Sequence, residues 1–84
     1  MKIYLAEKGL DKSWQESFEK NIKCKHCGSN ARIAFVAYED GNGKNLCDIH
    51  KQGKDGKLWL HDVSATAVYL CEKCLEATAE INQA

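Results

Sequence analysis

Three pairs of metal-ligating side chains share one spacing, with two residues between the members of each pair. They are Cys24 with Cys27, Cys47 with His50, and Cys71 with Cys74. Two intervening residues let a tight turn direct both side chains at one ion, and Gly28 suits the turn after the first pair. Thiolates and imidazole in a tetrahedral arrangement favour Zn²⁺, with an iron–sulfur cluster as a less favoured alternative. The spacing therefore predicts a zinc site rather than a set of ordinary buried cysteines.

The pair Cys24 and Cys27 can be completed in two ways. One set adds Cys47 and His50, which follow at the usual distance for two knuckles joined by a hairpin. The other set adds Cys71 and Cys74 and gives four thiolates. We favour the second set because a helix can continue after Cys74, whereas glycine interrupts the chain soon after His50. The first set stays open as the alternative.

The four-cysteine set leaves other ligand-type residues over for a second zinc. These are Cys47 and His50, with His61 and either Asp48 or Asp62. The group is chemically adequate for zinc but is scattered along the chain. We therefore expect one zinc ion, and a second ion is the alternative.

A catalytic zinc is the least favoured interpretation of these residues. It would need an open coordination position beside an acid or base. The candidates for such a site are His61, Cys71 and Cys74, with Asp62 or Glu72 as the base. The chain lacks the H-x-E and P-C-x-x-C elements of zinc deaminases, since Val63 and Leu70 occupy the Glu and Pro positions. It also lacks an H-E-x-x-H motif and the βαβ context of a thioredoxin-like redox site. We therefore expect no enzymatic activity and no catalytic residue.

The length and composition indicate a small domain that needs a metal to fold well. The chain has 84 residues, five cysteines and no net charge. A core of this size is marginal, and metal binding supplies folding free energy that the core lacks. The N-terminus meets a charged residue too early for a secretory signal, and no apolar run is long enough to span a membrane. We expect one cytoplasmic zinc-binding domain over residues 1–84, with reduced thiols.

Charge and exposed aromatic residues bear on the choice of partner. Twelve basic residues balance twelve acidic ones, which disfavours a general nucleic-acid or anionic-membrane binder. Two local basic groups exist, and we interpret both as solvated surface. They are Lys20, Lys23, Lys25 and Arg32, and Lys51, Lys54 and Lys57. We expect a protein partner, with nucleic acid as the alternative, and contacts through Tyr38, Trp59 or Tyr69.

The pattern of apolar residues predicts the elements that position the ligands. Leu10, Trp14, Phe18 and Ile22 recur every four residues, which is typical of one face of a helix packed on a core. Ser13 and Glu16 fit a capping box at its start. High helix propensity predicts a second helix at 75–81, directly after the last cysteine pair. Strands are predicted at 2–5, 31–38, 44–46, 57–61 and 66–70, with a turn at 39–43 and a loop at 51–56.

Two short segments resemble known zinc-binding families. Cys24-x-x-Cys27-Gly28 and the segment from Val68 to Leu75 resemble the treble-clef zinc finger at the N-terminus of the Clp unfoldase ATPase. The stretch from Cys24 to His50 is similar to the zinc knuckles of McsA-type regulators. Both resemblances imply a zinc-built platform for docking proteins.

The resemblance to the Clp finger further implies a homodimer through the predicted C-terminal helix. Leu75, Thr78 and Ala79 would form that interface. The expected fold class is therefore α+β: a small zinc-stabilised, treble-clef or zinc-ribbon-like antiparallel sheet with an N-terminal and a C-terminal helix.

Overall fold

The computed structural model describes residues 1–50 and 60–84. These residues form an antiparallel sheet of five strands with two short helical segments. The strands are β1 (Lys2–Leu5), β2 (Asn21–Lys23), β3 (Asn30–Tyr38), β4 (Ser64–Cys71) and β5 (Ala77–Gln83), and the helical segments are a 3-10 helix (Ala6–Gly9) and α1 (Leu46–Ile49). Within this part of the chain, no helix has the length and apolar character needed to cross a membrane.

Strand β3 organises the sheet because three other strands pair with it. The order is β1-β3-β4-β5, and β2 also pairs with β3. β1 lies beside the second half of β3 and β2 beside its first residues, so both share one edge of β3. β4 lies along the other edge, with a bulge in the register between Ile33 and Phe35. The strands predicted at 2–5, 31–38 and 66–70 are thus confirmed.

One face of the sheet, which we call the inner face, carries the core. The register places Ala31 opposite Cys71 and Val36 opposite Ala67, and all four side chains are buried there. The segment 10–20 covers this face, and Phe18 belongs to the same buried cluster. A large ring in a covering segment supplies the apolar area that small residues such as alanine do not.

The predicted N-terminal helix is wrong, although its large side chains do lie on the core. Leu10, Trp14 and Ile22 pack against the buried cluster, but the segment is irregular between the 3-10 helix and β2. The backbone of this segment forms a hydrogen bond with a distant part of the chain, because the N–H of Trp14 donates to Asn82 Oδ1 at 3.1 Å. Ser13 Oγ donates to the carbonyl oxygen of Glu16, so these two residues form a local turn and no capping box.

The predicted C-terminal helix is also wrong, because residues 77–83 form β5. Each residue of β5 pairs with β4, from Ala77 opposite Leu70 to Gln83 opposite Ser64. Residues 77–82 alternate apolar and polar side chains, which suits a strand, with the polar members on the inner face and the apolar members on the opposite face. Pairing also satisfies the backbone groups along the edge of β4. With neither helix present, the chain is a small antiparallel-sheet domain and not an α+β fold.

The connection after β3 differs from the prediction in one further element. The turn at 39–43 is present, with Asn42 N–H donating to Asp40 Oδ1 at 2.9 Å. The predicted strand at 44–46 is wrong, since α1 begins at Leu46. Asp48 accepts a hydrogen bond from the N–H of Asn45 at 2.9 Å, which favours the helix start. The predicted loop at 51–56 and most of the predicted strand at 57–61 lie outside the described residues.

A buried carboxylate joins this connection to the sheet. Glu39 is 1% exposed and accepts hydrogen bonds from the N–H of Ser64 at 2.9 Å and its hydroxyl at 2.6 Å. Its other oxygen accepts from the N–H of Leu46 at 2.7 Å. The three donors satisfy a group that would be costly to bury without partners. Glu39 therefore fixes the start of α1 beside the start of β4.

Replacing this carboxylate by an amide, Glu39→Gln, should destabilise the fold. The amide keeps the volume but turns an NH₂ group towards an N–H donor, which leaves buried groups unpaired. We expect the free energy of unfolding to fall by about 2 kcal/mol, measured by urea denaturation. The exposed Glu16→Gln variant is the control and should change it by less than about 0.5 kcal/mol. Equal effects of the two substitutions would contradict this role of Glu39.

Candidate metal centre

Antiparallel pairing of β3 and β4 brings two cysteine turns to one end of the sheet. Cys24 and Cys27 lie in the turn between β2 and β3, and Cys71 and Cys74 begin the turn between β4 and β5. The first residues of β3 lie beside the last residues of β4, with Ala31 opposite Cys71. The two turns must therefore meet. We call them the first and the second knuckle.

The two knuckles have the same backbone hydrogen bonds. In the first, Cys24 N–H donates to Ser29 O at 2.7 Å, and Gly28 N–H donates to Cys24 O at 2.9 Å. In the second, Cys71 N–H donates to the carbonyl five residues on, at 3.1 Å, and Leu75 N–H donates to Cys71 O at 3.2 Å. Each turn thus places its two thiols on the same side of the chain.

The fifth residue of each knuckle has a left-handed backbone. Gly28 has φ 77° and Leu75 has φ 61°. Glycine adopts this region freely, whereas a side chain makes it cost about 1–2 kcal/mol. Leu75 is also 76% exposed, so burial does little to offset the strain. The second knuckle therefore carries strain that the first avoids.

The four cysteine sulfur atoms fit a tetrahedral zinc ion. All four lie within 4.8 Å of one another. Across the knuckles, Cys24 Sγ lies 3.6 Å from Cys74 Sγ, and Cys27 Sγ lies 3.5 Å from Cys71 Sγ. Zn–S bonds of about 2.3 Å in a tetrahedron would separate the sulfurs by about 3.8 Å. The donor set, its number and its spacing all suit one structural metal ion.

Backbone N–H groups point at one sulfur in each knuckle. Cys24 Sγ accepts from the N–H of His26 at 3.3 Å, and Cys71 Sγ accepts from the N–H of Lys73 at 3.4 Å. In both cases the donor lies two residues after the cysteine. Such bonds favour the thiolate, the form that binds a metal. The same bonds would hold these sulfur atoms in place around a metal ion.

The thiol pKa values show how tightly the four groups are packed. The N–H and hydroxyl of Ser29 lower the pKa of Cys27 to about 6, and the pKa of Cys24 is lowered chiefly by the N–H of Cys27. At Cys74 the N–H of Glu76 lowers the pKa, but desolvation and the three neighbouring cysteines outweigh it and raise that pKa to about 12. Like charges this close cannot all form without a cation between them. A divalent cation would remove that limit.

The alternative ligands Cys47 and His50 do not join this group. Cys47 lies half-buried in α1, where desolvation and the nearby carboxylates of Asp48, Glu39 and Asp62 raise the pKa of its thiol. His50 is exposed at the end of α1, and His61 is exposed with its backbone N–H donating to Gln83 Oε1. Across residues 1–50 and 60–84, the four-cysteine group is the one cluster of three or more metal-ligating side chains. The described residues therefore give no support to a second zinc.

The structure changes the list of candidate contact residues. Tyr69 is fully buried, and its hydroxyl donates to Glu19 O at 2.6 Å. Tyr38 is half-buried and stacks on Trp14, with ring centroids 5.3 Å apart. Both rings therefore serve the fold, and Trp59 lies outside the described residues. The helical interface of Leu75, Thr78 and Ala79 is wrong because the strand turns Thr78 to the buried inner face and Ala79 to the exposed outer one.

Sequence reasoning missed one residue that supports the first knuckle. Thr78 is 4% exposed, and its Oγ1 accepts a hydrogen bond from Lys25 N–H at 3.5 Å. This hydrogen bond connects the first knuckle to β5, the strand that follows the second knuckle in the chain. The alternation over 77–82 indicates a strand, but it predicts the apolar residues on the covered face, so no signal in the sequence marks Thr78 as buried.

Comparison with known proteins adds no relative to this description. No protein-family model matches the chain, and it has no match among curated proteins or solved structures. What the chain shares with zinc fingers is the cysteine cluster itself.

Exchanging residue types at the left-handed positions should have opposite effects in the two knuckles. Gly28→Ala introduces a side chain at φ 77° and should lower the free energy of unfolding by about 1–2 kcal/mol. Leu75→Gly removes the strain and should leave it unchanged or raise it by up to about 1 kcal/mol, because glycine also gains entropy in the unfolded chain. Urea denaturation of the two variants and the natural protein measures both effects. A large loss of stability in Leu75→Gly would show that Leu75 makes contacts that stabilise the folded state.

Proposed function

We propose that this chain is a small zinc-binding protein whose single Zn²⁺ is structural, and that the folded domain works by binding another protein. The observation that carries the metal assignment is the set of four cysteine sulfurs within 4.8 Å at one end of the sheet. Four thiolates complete the tetrahedral shell of zinc, so no position is left for a substrate or water. The bound ion would cross-link the two knuckles.

The surroundings of the cysteines support a structural role over a catalytic one. Cys24 and Cys71 are buried, and the backbone donors near them point at sulfur. A cavity of about 370 Å³ is lined by residues 15–19 and 80–82, and none of the cysteines borders it. A catalytic zinc would instead face the space where the substrate binds.

Surface composition supports a protein partner. The face of the sheet opposite the core, which we call the outer face, exposes the large apolar side chains Ile3, Leu5, Leu70 and Ile81. Exposed apolar area that lies together is typical of sites that bind proteins. The chain has no net charge to attract a polyanion over a distance.

Nucleic-acid binding is the second candidate, and the basic group at the first knuckle is the observation that favours it. Two of its members already contact carboxylates: Lys20 Nζ lies 2.7 Å from Glu7, and Arg32 Nε lies 3.5 Å from Glu72. Lys23 and Lys25 remain exposed beside the cysteines. Two cations give weak phosphate binding, because the affinity for nucleic acid rises with the number of phosphates that the protein contacts.

Metal analysis tests the structural zinc directly. Elemental analysis should give one zinc per chain in the natural protein, and the Cys74→Ser variant should lose it because the fourth thiolate is missing. Cys74 is exposed, so the substitution acts through the metal rather than through packing. Removing the zinc by chelation should also abolish cooperative thermal unfolding, since structural zinc supplies on the order of 10 kcal/mol in small domains.

Cys47→Ser is the matched control for that experiment. It removes a thiol outside the cluster and should retain one zinc with unchanged unfolding. Loss of zinc in Cys47→Ser with retention in Cys74→Ser would overturn the four-cysteine site. Zinc-loaded protein that hydrolyses or transfers a group on a substrate library would overturn the structural role.

Fluorescence anisotropy with labelled single-stranded and duplex oligonucleotides distinguishes the two candidate functions. We expect no saturable binding at low salt, because the ion pairs at Lys20 and Arg32 leave too few free cations at the first knuckle. The Lys23→Glu variant is the control for any weak signal. Saturable binding that weakens steeply with salt and is lost in Lys23→Glu would favour the nucleic-acid candidate instead.

A further inference from the structure

The outer face carries one continuous group of uncharged side chains, which we call the outer patch. Antiparallel register aligns them in three rows across the strands. The rows are Ile3, Ala37, Thr66 and Ile81; Leu5, Phe35, Val68 and Ala79; and Leu70 with Ala77. Nine of these ten side chains are apolar, and the tenth is threonine. The outer patch therefore resembles half of a sheet-on-sheet core.

The outer patch is open to solvent in the described structure. Leu5 is 67% exposed, Ile3 54%, Ile81 53% and Leu70 42%. The inner face, by contrast, is covered by the segment that holds Trp14 and Phe18. A sheet with two apolar faces and one cover leaves the second face to a partner.

We propose that a second copy of this chain covers the outer patch, so that two sheets pack face to face about a two-fold axis. This inference rests on the proposed function of protein binding and names the partner. It differs from the dimer expected from sequence, because it uses the open face of the sheet and no helix.

The size of the outer patch suits a weak dimer. Strands about 4.8 Å apart and a side-chain repeat of about 6.8 Å give each of the ten side chains about 33 Å² of flat sheet. The patch therefore covers about 330 Å² before the relief of the side chains is counted, and roughly 400–500 Å² with it. Two copies would bury about 800–1,000 Å² in total, at the lower limit for a specific interface. Association is thus expected at micromolar to millimolar concentration.

The charge pattern favours a second copy over a charged partner. The outer patch contains no ionisable side chain, and Arg32 at its border is paired with Glu72. An uncharged apolar surface is complementary to itself, whereas a charged segment would lose its hydration without gaining an ion pair. Two copies with no net charge also do not repel one another.

The shape of the molecule agrees with this packing. The Cα atoms span 36 × 31 × 19 Å, with a radius of gyration of 13.5 Å. A compact chain of 84 residues is expected to have about 12 Å. The protein is therefore a flat body. Stacking two sheets about 10 Å apart would join two such bodies through their broad faces.

Sedimentation equilibrium of the zinc-loaded protein, over micromolar to millimolar concentration, tests the proposal. The natural sequence should show a reversible monomer–dimer equilibrium. Ile3→Lys and Ile81→Lys each place two ammonium groups in a two-fold symmetric interface and should weaken dimerisation at least about tenfold. Both positions are more than half exposed in the monomer, so zinc content and the circular dichroism spectrum should stay unchanged.

Ser17→Lys adds the same charge to an exposed position in the segment over the inner face, and it should dimerise like the natural protein. A natural protein that binds one zinc but stays monomeric to millimolar concentration would overturn this proposal and leave the zinc site standing. A dimer that neither Ile3→Lys nor Ile81→Lys weakens would also overturn it, because pairing would then use another surface such as the edge strand β5. A natural protein that binds no zinc would instead overturn the proposed function, whatever its oligomeric state.

Discussion

The antiparallel pairing of β3 with β4 is the constraint on which the candidate site depends. Ala31 lies opposite Cys71 in that ladder, so the turn before β3 and the turn after β4 share one end of the sheet. The two cysteine pairs are separated by 43 residues in the chain, but the pairing of β3 with β4 brings them together in space. The ladder also fixes both faces, because a slip of one residue would turn every buried side chain of β4 to the solvent.

The same ladder limits how much apolar area the core can bury. Its buried positions on the inner face include Ala31, Ala65 and Ala67, and each buries little apolar area compared with a leucine or isoleucine. Small side chains let Trp14 and Phe18 approach the sheet, but they limit the hydrophobic contribution to folding. A metal ion bound by the four cysteines would offset that deficit at the end of the sheet.

Sequence reasoning identifies the cysteine pairs, three of the strands and the side chains that cover the core, but both of its predicted helices are wrong. Spacing of four residues from Leu10 to Ile22 identifies what is buried, and it cannot tell a helix from an irregular segment with the same contacts. At 77–82, helix propensity competes with the alternation of apolar and polar residues, and the strand forms because β4 offers an edge to pair with. Propensity is the weaker signal whenever tertiary hydrogen bonds are available.

The left-handed backbone at Leu75 connects these points. A residue with positive φ cannot begin a right-handed helix, so the second knuckle directs the chain back along β4 instead. That return makes β5, and β5 supplies Thr78 to the first knuckle on one face and Ala77, Ala79 and Ile81 to the outer patch on the other. The turn that completes the metal site therefore also builds the apolar surface. A chain that ended in a helix after Cys74 would keep the four thiols but would lose three of the ten side chains of the outer patch. The candidate metal site and the outer patch thus share strand β5, so a change in the second knuckle should disturb both.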